Sequence, residues 1–428
     1  MHNDARRESK TARRVLIAAV VFSHAMVFLV TDRLLRSLPV DAGAVAWSHG
    51  LYYDYASRTI TGQIPYRDFV VEYPILTFPL FLIPRLFTSN LGTYRQLFVG
   101  EMFLFDVWAI FLIAAHGVCR EGNRRGAGPL LWYTVYVFVL CPLVIGRFEL
   151  APMALAFAAA HYWFSGRNGL GGAVAGVGAL VKLFPGLVVA LALTWELAQP
   201  RGRRPRLRGT LVFLISIAIG ALAWLALGRA GVIQSIGYQT GRGIEIESLY
   251  GGALLLAANL AGCEVPIEFT FNAYHIAGSS GSWLSTISLP VQVLTLLLVV
   301  WRFRRSGMVD GVRYSGAAVL AFIVTCKVLS PQFLIWLFPF LAVLAGRKGS
   351  FARWLFLLGC LCTVLTYPGP GFGQVVAHQL GGTLLLNLRN ALLLGLLVVL
   401  LWNVREGGGM RCGPRSLRAA IVGLPCVG

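Results

Sequence analysis

Long apolar runs, separated by short clusters of arginine, recur along most of this chain and restrict what it can fold into. Runs of about 15–20 apolar residues match the length of helix that crosses the hydrocarbon core of a bilayer. Soluble domains carry roughly 25% charged residues, whereas this chain is 57% hydrophobic and only 13% charged. The arginine clusters occur at 6–14, 119–125, 201–208, 302–305, 346–353 and 411–418. The pattern predicts an all-α polytopic membrane protein.

The positive charge of the chain is concentrated in these clusters. Lys and Arg accumulate in cytoplasmic loops because positively charged loops resist translocation. When every cluster is placed in the cytoplasm together with Arg167, Arg313 and Arg405, acidic and basic residues balance on the other side, so the cytoplasmic side accounts for the whole net charge of +19. The charge is therefore an orientation signal in a plasma (inner) membrane, with both termini cytoplasmic, and we predict no binding to nucleic acid.

With this orientation, one path accounts for the apolar runs, with about twelve transmembrane helices. Two short apolar segments, 74–86 and 251–262, are predicted as helices at the outer interface, because counting either as a span would reverse the side of the next arginine cluster. The predicted transmembrane helices cover 15–31, 95–118, 129–146, 150–164, 169–181, 184–198, 210–228, 286–302, 314–328, 333–346, 354–367 and 383–402.

The same path defines the domain organisation. Residues 1–14 form a cytoplasmic tail, residues 15–402 form the transmembrane domain, and residues 403–428, rich in Gly and Arg, form a cytoplasmic tail that we expect to be disordered. Two long loops, 32–94 and 229–285, lie on the extracytoplasmic side.

Cysteine and paired glutamate give no pattern of a disulfide framework or metal site. The eight cysteines are scattered, whereas disulfide frameworks and zinc sites have regular spacings. Glu245 and Glu247 share only their spacing with a two-carboxylate metal site. We therefore predict no metal centre and no cofactor.

Polar residues from distant parts of the chain fall at the outer end of the predicted helices. Ionisable groups at membrane depth cost at least ~2.5 kcal/mol each and commonly mark functional sites. Lys182 and Lys327 carry this argument best, because each is embedded in apolar sequence. The full set is Asp54, Asp68, Glu72, Arg147, Glu149, Lys182, Arg242, Glu245, Glu247, Lys327 and Gln332.

Carboxylates beside cations suit the transfer of a sugar from a lipid phosphate. Asp or Glu can deprotonate an acceptor hydroxyl, and Lys and Arg can stabilise the charge of the departing phosphate. Structural interpretations stay open. Asp54 can cap a helix or pair with Arg58, four residues further on. Asp68 and Glu72 can form surface ion pairs with Arg67 or Arg85, and the cations near helix ends can extend to the lipid headgroups.

The run "YYDYASRTITGQIPYRDFVVEYP", from Tyr52 to Pro74, resembles the first outer loop of glycosyltransferase family 87. This family comprises polyprenyl-phosphate-mannose-dependent mannosyltransferases and their relatives. The blocks "RFELAPMALAFAA", "ALVKLFPGLVV", "RGIEIESL" and "VLSPQFLIWLFPF" resemble later blocks of the family in the expected order. The resemblance spans residues 15–402.

This resemblance implies the GT-C architecture, with a catalytic acid in the first outer loop. It also implies inverting transfer from a polyprenyl-phosphate sugar, with mannose or a pentose as the sugar and an envelope glycolipid or polysaccharide as acceptor. Ser48 stands where the family usually has Asp, and Ile75 where it usually has Pro. Asp54 is therefore our first expectation for the general base, with Glu72 and Asp68 as alternatives.

The remaining polar residues of the outer end are expected to bind substrate. We expect Lys182, Arg242 and Lys327 to grip the donor phosphate, and Arg147, Glu149, Glu245, Glu247 and Gln332 to complete the site. Two other function classes stay open: a transporter or lipid flippase without covalent chemistry, and a non-catalytic partner in envelope assembly. Interrupted helices in corresponding halves of the chain, which are typical of transporters with inverted repeats, are not evident in the sequence.

Overall fold

The computed structural model describes residues 2–37, 43–121, 127–198 and 207–402, and this part of the chain is mostly helical. The α-helices are α1 (His2–Ser37), α2 (Gly43–Ile60), α3 (Phe78–Phe87), α4 (Leu91–Glu121), α5 (Ala127–Val139), α6 (Cys141–Gly146), α7 (Leu150–Phe164), α8 (Asn168–Val181), α9 (Leu187–Leu197), α10 (Arg208–Leu227), α11 (Arg229–Gly241), α12 (Leu249–Ala261), α13 (Gly278–Arg305), α14 (Gly311–Thr325), α15 (Phe338–Ala342), α16 (Gly346–Thr366), α17 (Gly371–Val376) and α18 (Leu380–Leu401).

The remaining regular elements are short. Three 3₁₀ helices among the described residues each lead into an α-helix, and they cover Ile75–Thr77, Phe184–Gly186 and Pro331–Leu337. Strands β1 (Ile267–Thr270) and β2 (Ala273–Ile276) form an antiparallel hairpin in which Ile267 pairs with Ile276.

The helix lengths identify the class of protein. Within the described ranges, six helices are long and apolar enough to cross a membrane: Thr11–Ser37, Leu91–Gly117, Arg208–Leu227, Gly278–Arg305, Gly346–Thr366 and Leu380–Leu401. This is the architecture of an all-α multi-pass membrane protein, as the sequence predicts. The number of about twelve spans stays a prediction, because a helix of 14 residues, such as α8, extends only about 21 Å at 1.5 Å per residue.

Most predicted helices coincide with helices of the structure and differ only at their ends, but two predictions were wrong. The predicted helix 129–146 is divided at Leu140 into α5 and α6, and the predicted helix 333–346 is a 3₁₀ helix up to Leu337 followed by the short α15. Pro142 and Pro339 stand at the starts of α6 and α15, and a proline cannot continue the preceding helix because it lacks a backbone N–H.

α1 continues to Ser37, and residues 2–14, predicted as a tail, belong to the same helix. The segments 74–86 and 251–262 are helical as expected, although their position at the interface stays a prediction. The predicted tail 403–428 lies outside the described residues.

The elements that the sequence did not predict all lie in stretches assigned to the outer side. They are α2, α11, α17 and the β-hairpin. Within the described residues, both long stretches predicted as outer loops fold largely into helices that pack against the helical bundle.

Helix α10 has two distinct faces. One face leaves large aliphatic side chains about half exposed or more, as expected of a surface in contact with lipid, and it comprises Leu211, Leu214, Ile215, Ile219 and Leu222. The other face packs closely on α8 through glycines. A Cβ atom added at Gly172 would lie 2.0 Å from the carbonyl oxygen of Gly209, and one at Gly176 would lie 2.5 Å from Cβ of Ser216. Small residues allow helices in a membrane to approach this closely.

A buried carboxylate joins several helices at the opposite end of α10 from Leu227. Oε1 of Glu196 accepts hydrogen bonds from the Trp163 indole at 3.2 Å, the Asn168 amide at 3.0 Å and the Gly209 backbone N–H at 2.9 Å. Its Oε2 accepts the Thr210 hydroxyl at 2.8 Å. Negative charge near the first backbone N–H groups of a helix is stabilising, so Glu196 anchors the start of α10 to α7, α8 and α9.

We expect Gly172→Ala to destabilise the protein by about 1–3 kcal/mol, because the new methyl group would overlap a backbone carbonyl that cannot move aside. Thermal unfolding of the purified protein in detergent measures the effect. Gly395→Ala is the matched control, since a Cβ at Gly395 meets no atom within 4 Å. Equal melting temperatures for the two variants would contradict the close packing of α8 on α10.

Candidate functional site

Interruptions between the short helices come together at one end of the bundle. Arg147, Phe148 and Glu149 separate α6 from α7, and Lys182 follows the last residue of α8. Residues 326–330 separate α14 from the 3₁₀ helix Pro331–Leu337. Non-helical backbone at membrane depth is tolerated only where it is buried in protein or lines a cavity. A polar side chain accompanies each interruption, which points to a site at this end.

Glu149 and Lys182 form a tight ion pair at the centre of this end. Nζ of Lys182 lies 2.5 Å from Oε1 of Glu149, whose side chain is only 2% exposed. Oε2 of Glu149 accepts a hydrogen bond from the Trp336 indole, also at 2.5 Å. The Lys182 ammonium group lies 4.8–5.4 Å from the ring centroids of Phe148, Phe333 and Trp336. The pair is therefore enclosed by aromatic rings, which add cation–π attraction.

Arg147 extends the cluster toward residues 43–77, which belong to the first loop predicted to be extracytoplasmic and are called the first outer segment below. Its guanidinium group interacts with the hydroxyl groups of Tyr52, Tyr73 and Tyr367. Tyr52 is buried, and its ring stacks on Phe81 with a centroid distance of 4.2 Å. The tyrosines thus join the break before α7 to α2 and to the chain after α16.

The segment after α11 brings a second group of charges to the same end. Nζ of Lys327 donates to the Thr240 carbonyl at 2.8 Å, and the Glu245 backbone N–H donates to the Lys327 carbonyl at 3.0 Å. Oε1 of Glu245 lies 3.4 Å from the Ser330 hydroxyl and 3.9 Å from Nη2 of Arg242. Arg242 lies close enough to Lys182 for the two charges to interact electrostatically, so both groups of charges belong to one site.

Glu247 has a structural partner. Its carboxylate lies 3.5 Å from Nη1 of Arg389, and Nη2 of Arg389 donates to the Glu247 carbonyl at 2.5 Å. Arg389 is completely buried in α18 and also donates to the Asn390 side chain at 3.0 Å. This pair holds the segment after α11 against α18.

Glu72 is the carboxylate of the first outer segment that lies nearest the cluster. Its half-buried side chain interacts with the hydroxyl groups of Tyr73 and Tyr238. Its carbonyl accepts a hydrogen bond of 3.1 Å from the Gln239 amide. Tyr52 and Tyr73 interact with Glu72 as well as with Arg147, so the acid and the cation share two neighbours.

Asp54 lies on the solvent-exposed side of α2. Arg58, the partner expected from the sequence, is engaged elsewhere. Its Nε donates to the Gln63 side chain at 2.7 Å, and its guanidinium group lies over the ring of Phe69. Tyr55 interacts electrostatically with both Asp54 and Glu72. Asp54 therefore lies at the edge of the site.

Asp68 stabilises a turn. It accepts the backbone N–H of Ile64 at 2.7 Å and pairs with Arg67 at 2.9 Å, in a turn where Tyr66 has a positive φ of 66°. The hydrogen bond from Arg67 lowers the pKa of Asp68 to about 2. A general base works best with a pKa near the working pH, so Asp68 suits the structural interpretation.

The structure therefore gathers most of the predicted site residues. Gln332 is half-buried next to Phe333, which lies against Lys182. Asp68 lies in its own turn, and Asp54 is peripheral. The residues that meet at one end of the bundle are Glu72, Arg147, Glu149, Lys182, Arg242, Glu245, Glu247 and Lys327.

Sequence reasoning missed several partners in this site. The sequence does not mark Trp336 and Tyr367 as site residues, because aromatic residues are common at membrane interfaces whether or not a site is present. Arg389 was detectable, because an arginine in the middle of an apolar helix requires a partner. In the part of the chain that the structure describes, no group of three or more His, Cys, Asp or Glu side chains is arranged to hold a metal ion.

No protein-family model, curated protein or solved structure matches this chain.

We expect Glu149→Leu to destabilise the protein by about 3–5 kcal/mol. The Lys182 ammonium group would remain largely buried but would lose the carboxylate that pairs with it. The double variant Glu149→Leu/Lys182→Met should recover much of this loss, since replacing both members of a buried pair with apolar residues is often neutral. Thermal unfolding in detergent measures both.

Asp68→Asn is the control for a carboxylate with an exposed partner. It should leave the melting temperature nearly unchanged, because solvent screens the pair with Arg67 and the Asn side-chain oxygen can still accept the Ile64 N–H. A single Glu149→Leu variant as stable as wild type would show that the pair does not hold the site together.

Proposed function

We propose that the protein is an integral-membrane glycosyltransferase that moves a sugar, mannose or a pentose, from a polyprenyl-phosphate donor to an envelope glycolipid or polysaccharide. The observation that carries the proposal is the convergence of Arg147, Lys182, Arg242 and Lys327 with a half-buried carboxylate, Glu72, at one end of a membrane-embedded bundle. No metal ion or cofactor is part of this proposal.

The cations suit a phosphate at the boundary between lipid and water. An ammonium group has three N–H donors, and Lys182 uses one of them for Glu149. Lys327 is likewise engaged with one carbonyl, that of Thr240. Charge-assisted hydrogen bonds in a partly dry site stabilise the negative charge that develops on a departing phosphate.

Glu72 is the carboxylate that the geometry favours as general base, and Asp54 remains the alternative. In the proposed step, the carboxylate takes the proton of an acceptor hydroxyl, and the acceptor oxygen forms a bond to the anomeric carbon. The bond from that carbon to the phosphate oxygen breaks, and its electron pair stays on the polyprenyl phosphate. Attack opposite the leaving group inverts the anomeric configuration.

The proposed orientation places this end of the bundle outside the plasma membrane. At the other end, Arg302 and Arg313 donate to the carbonyls of Leu401 and Leu400 at 3.0 and 3.1 Å. Positively charged segments stay in the cytoplasm, so both termini are proposed to be cytoplasmic.

We expect Glu72→Gln to lower the rate of sugar transfer at least about 100-fold, since a general base contributes roughly 10²–10⁴-fold. Asp54→Asn should have a much smaller effect. The assay uses purified protein in nanodiscs, polyprenyl-phosphate mannose or arabinose labelled in the sugar, and an envelope glycolipid extract as acceptor.

Glu268→Gln serves as the matched control, because this carboxylate is exposed on β1. If Asp54→Asn abolishes transfer while Glu72→Gln retains it, the base is Asp54. Binding of the donor without transfer by the wild-type protein would favour a flippase or transporter instead, and neither binding nor transfer would favour a non-catalytic role.

The orientation has a direct test in Cys263, an exposed cysteine that follows α12. We expect a membrane-impermeant maleimide to label the wild-type protein in intact spheroplasts and to leave Cys263→Ser unlabelled. Labelling of both proteins after permeabilisation is the control for reactive cysteines on the cytoplasmic side. Labelling of Cys263 only after permeabilisation would place the candidate site in the cytoplasm.

A further inference from the structure

Arg242, which is partly buried, and Glu245, which is buried, each have a buried hydrogen-bonding atom that is not used. Their side chains are 15% and 6% exposed. The separation of 3.9 Å between Nη2 and Oε1 is too long for a hydrogen bond. Nε of Arg242 and Oε2 of Glu245 are both buried and have no hydrogen-bond partner among the described residues. Buried polar atoms without partners cost free energy, so a ligand that satisfies both would bind favourably.

The backbone around this pair is held in place. The Ile246 N–H donates to the Tyr274 carbonyl at 3.0 Å, and the Ile276 N–H donates to the Ile244 carbonyl at 2.8 Å. The segment thus adds to the β-hairpin, and the Glu247–Arg389 pair fixes its other side. Arg242 and Glu245 are therefore positioned before any ligand arrives, which lowers the entropic cost of binding.

The mixed charge of the pair restricts the class of ligand. Glu245 disfavours an anion next to it, and Arg242 disfavours a cation. A neutral hydroxyl group satisfies both, because its oxygen accepts from Nε–H of Arg242 while its hydrogen is donated to Oε2 of Glu245. Lys327, whose carbonyl binds the Glu245 backbone N–H, places a positive charge nearby. A sugar phosphate offers this combination of a hydroxyl group and an anion.

We propose that Arg242 and Glu245 form a subsite that binds one hydroxyl group of the donor sugar and so determines which sugar is accepted. The proposal rests on the proposed function. It assigns the recognition of a sugar hydroxyl to Glu245 and to Arg242, which was expected from the sequence to bind the phosphate. In this arrangement the phosphate lies toward Lys182 and Lys327, and the sugar ring lies toward the β-hairpin.

Binding to the protein in nanodiscs tests the subsite without requiring transfer. The probes are polyprenyl-phosphate mannose, polyprenyl-phosphate arabinose and sugar-free polyprenyl phosphate. We expect at least one sugar-bearing lipid to bind wild type about 10- to 100-fold more tightly than the sugar-free lipid, as a hydrogen bond to a charged group implies. Glu245→Gln and Arg242→Lys should each remove most of this preference, and Glu268→Gln should retain it.

Deoxy analogues of the preferred donor sharpen the test. Deleting one particular hydroxyl should weaken binding to wild type about 10-fold or more, whereas the same deletion should have little further effect in Glu245→Gln. Arg242→Lys keeps the charge but loses the Nε donor, so it supports the assignment even if Glu245→Gln unfolds.

The results separate this inference from the proposed function. Equal binding of sugar-bearing and sugar-free lipids by wild type, or an undiminished sugar preference in both variants, would overturn the subsite. A sugar preference that depends on Glu245, in a protein that never transfers the sugar, would retain the subsite and overturn the transferase.

Discussion

The ion pair between Glu149 and Lys182 is the interaction on which the rest of this site depends. The two residues come from different helix breaks, and the carboxylate also accepts the indole N–H of Trp336 from a third part of the chain. A charge removed from water is stable only when it is paired and hydrogen-bonded. The pair therefore fixes the distance between the breaks, and the aromatic rings of Phe148 and Phe333 enclose it. Arg147 and the segment that carries Lys327 are positioned by the same contacts.

The breaks themselves follow from a conflict between helix formation and the need for polar groups in the bundle. A continuous helix satisfies its own backbone, whereas each break frees N–H and C=O groups that need other partners. The freed groups bind other segments directly, as when the Lys327 carbonyl accepts the Glu245 backbone N–H. Broken helices thus do two things at once, since they admit charged side chains to an apolar bundle and tie the 242–248 segment to it.

The carboxylates of the first outer segment have two different roles, because one stabilises the local structure and another faces the candidate site. Asp68 closes a turn around Tyr66, and this turn packs on α11, where a Cβ at Gly231 would lie 1.8 Å from the Tyr66 carbonyl oxygen. Because α11 also binds the Glu72 carbonyl through Gln239, the turn and α11 together set the position of Glu72. A carboxylate with a structural role and one that faces the cluster can therefore lie four residues apart.

The amino-acid sequence by itself determined the class of the protein and the position of most helices, because apolar runs and their ends are local properties of the chain. It also marked Lys182, Lys327 and Glu149 as residues that require partners. Only the tertiary structure decided which residues those partners are. Glu149 meets Trp336, 187 residues away, and Glu247 meets Arg389, 142 residues away. The tertiary structure also decided that Glu72 rather than Asp54 faces the cluster. Such pairings depend on which helices pack together, and no periodicity within a single segment encodes that choice.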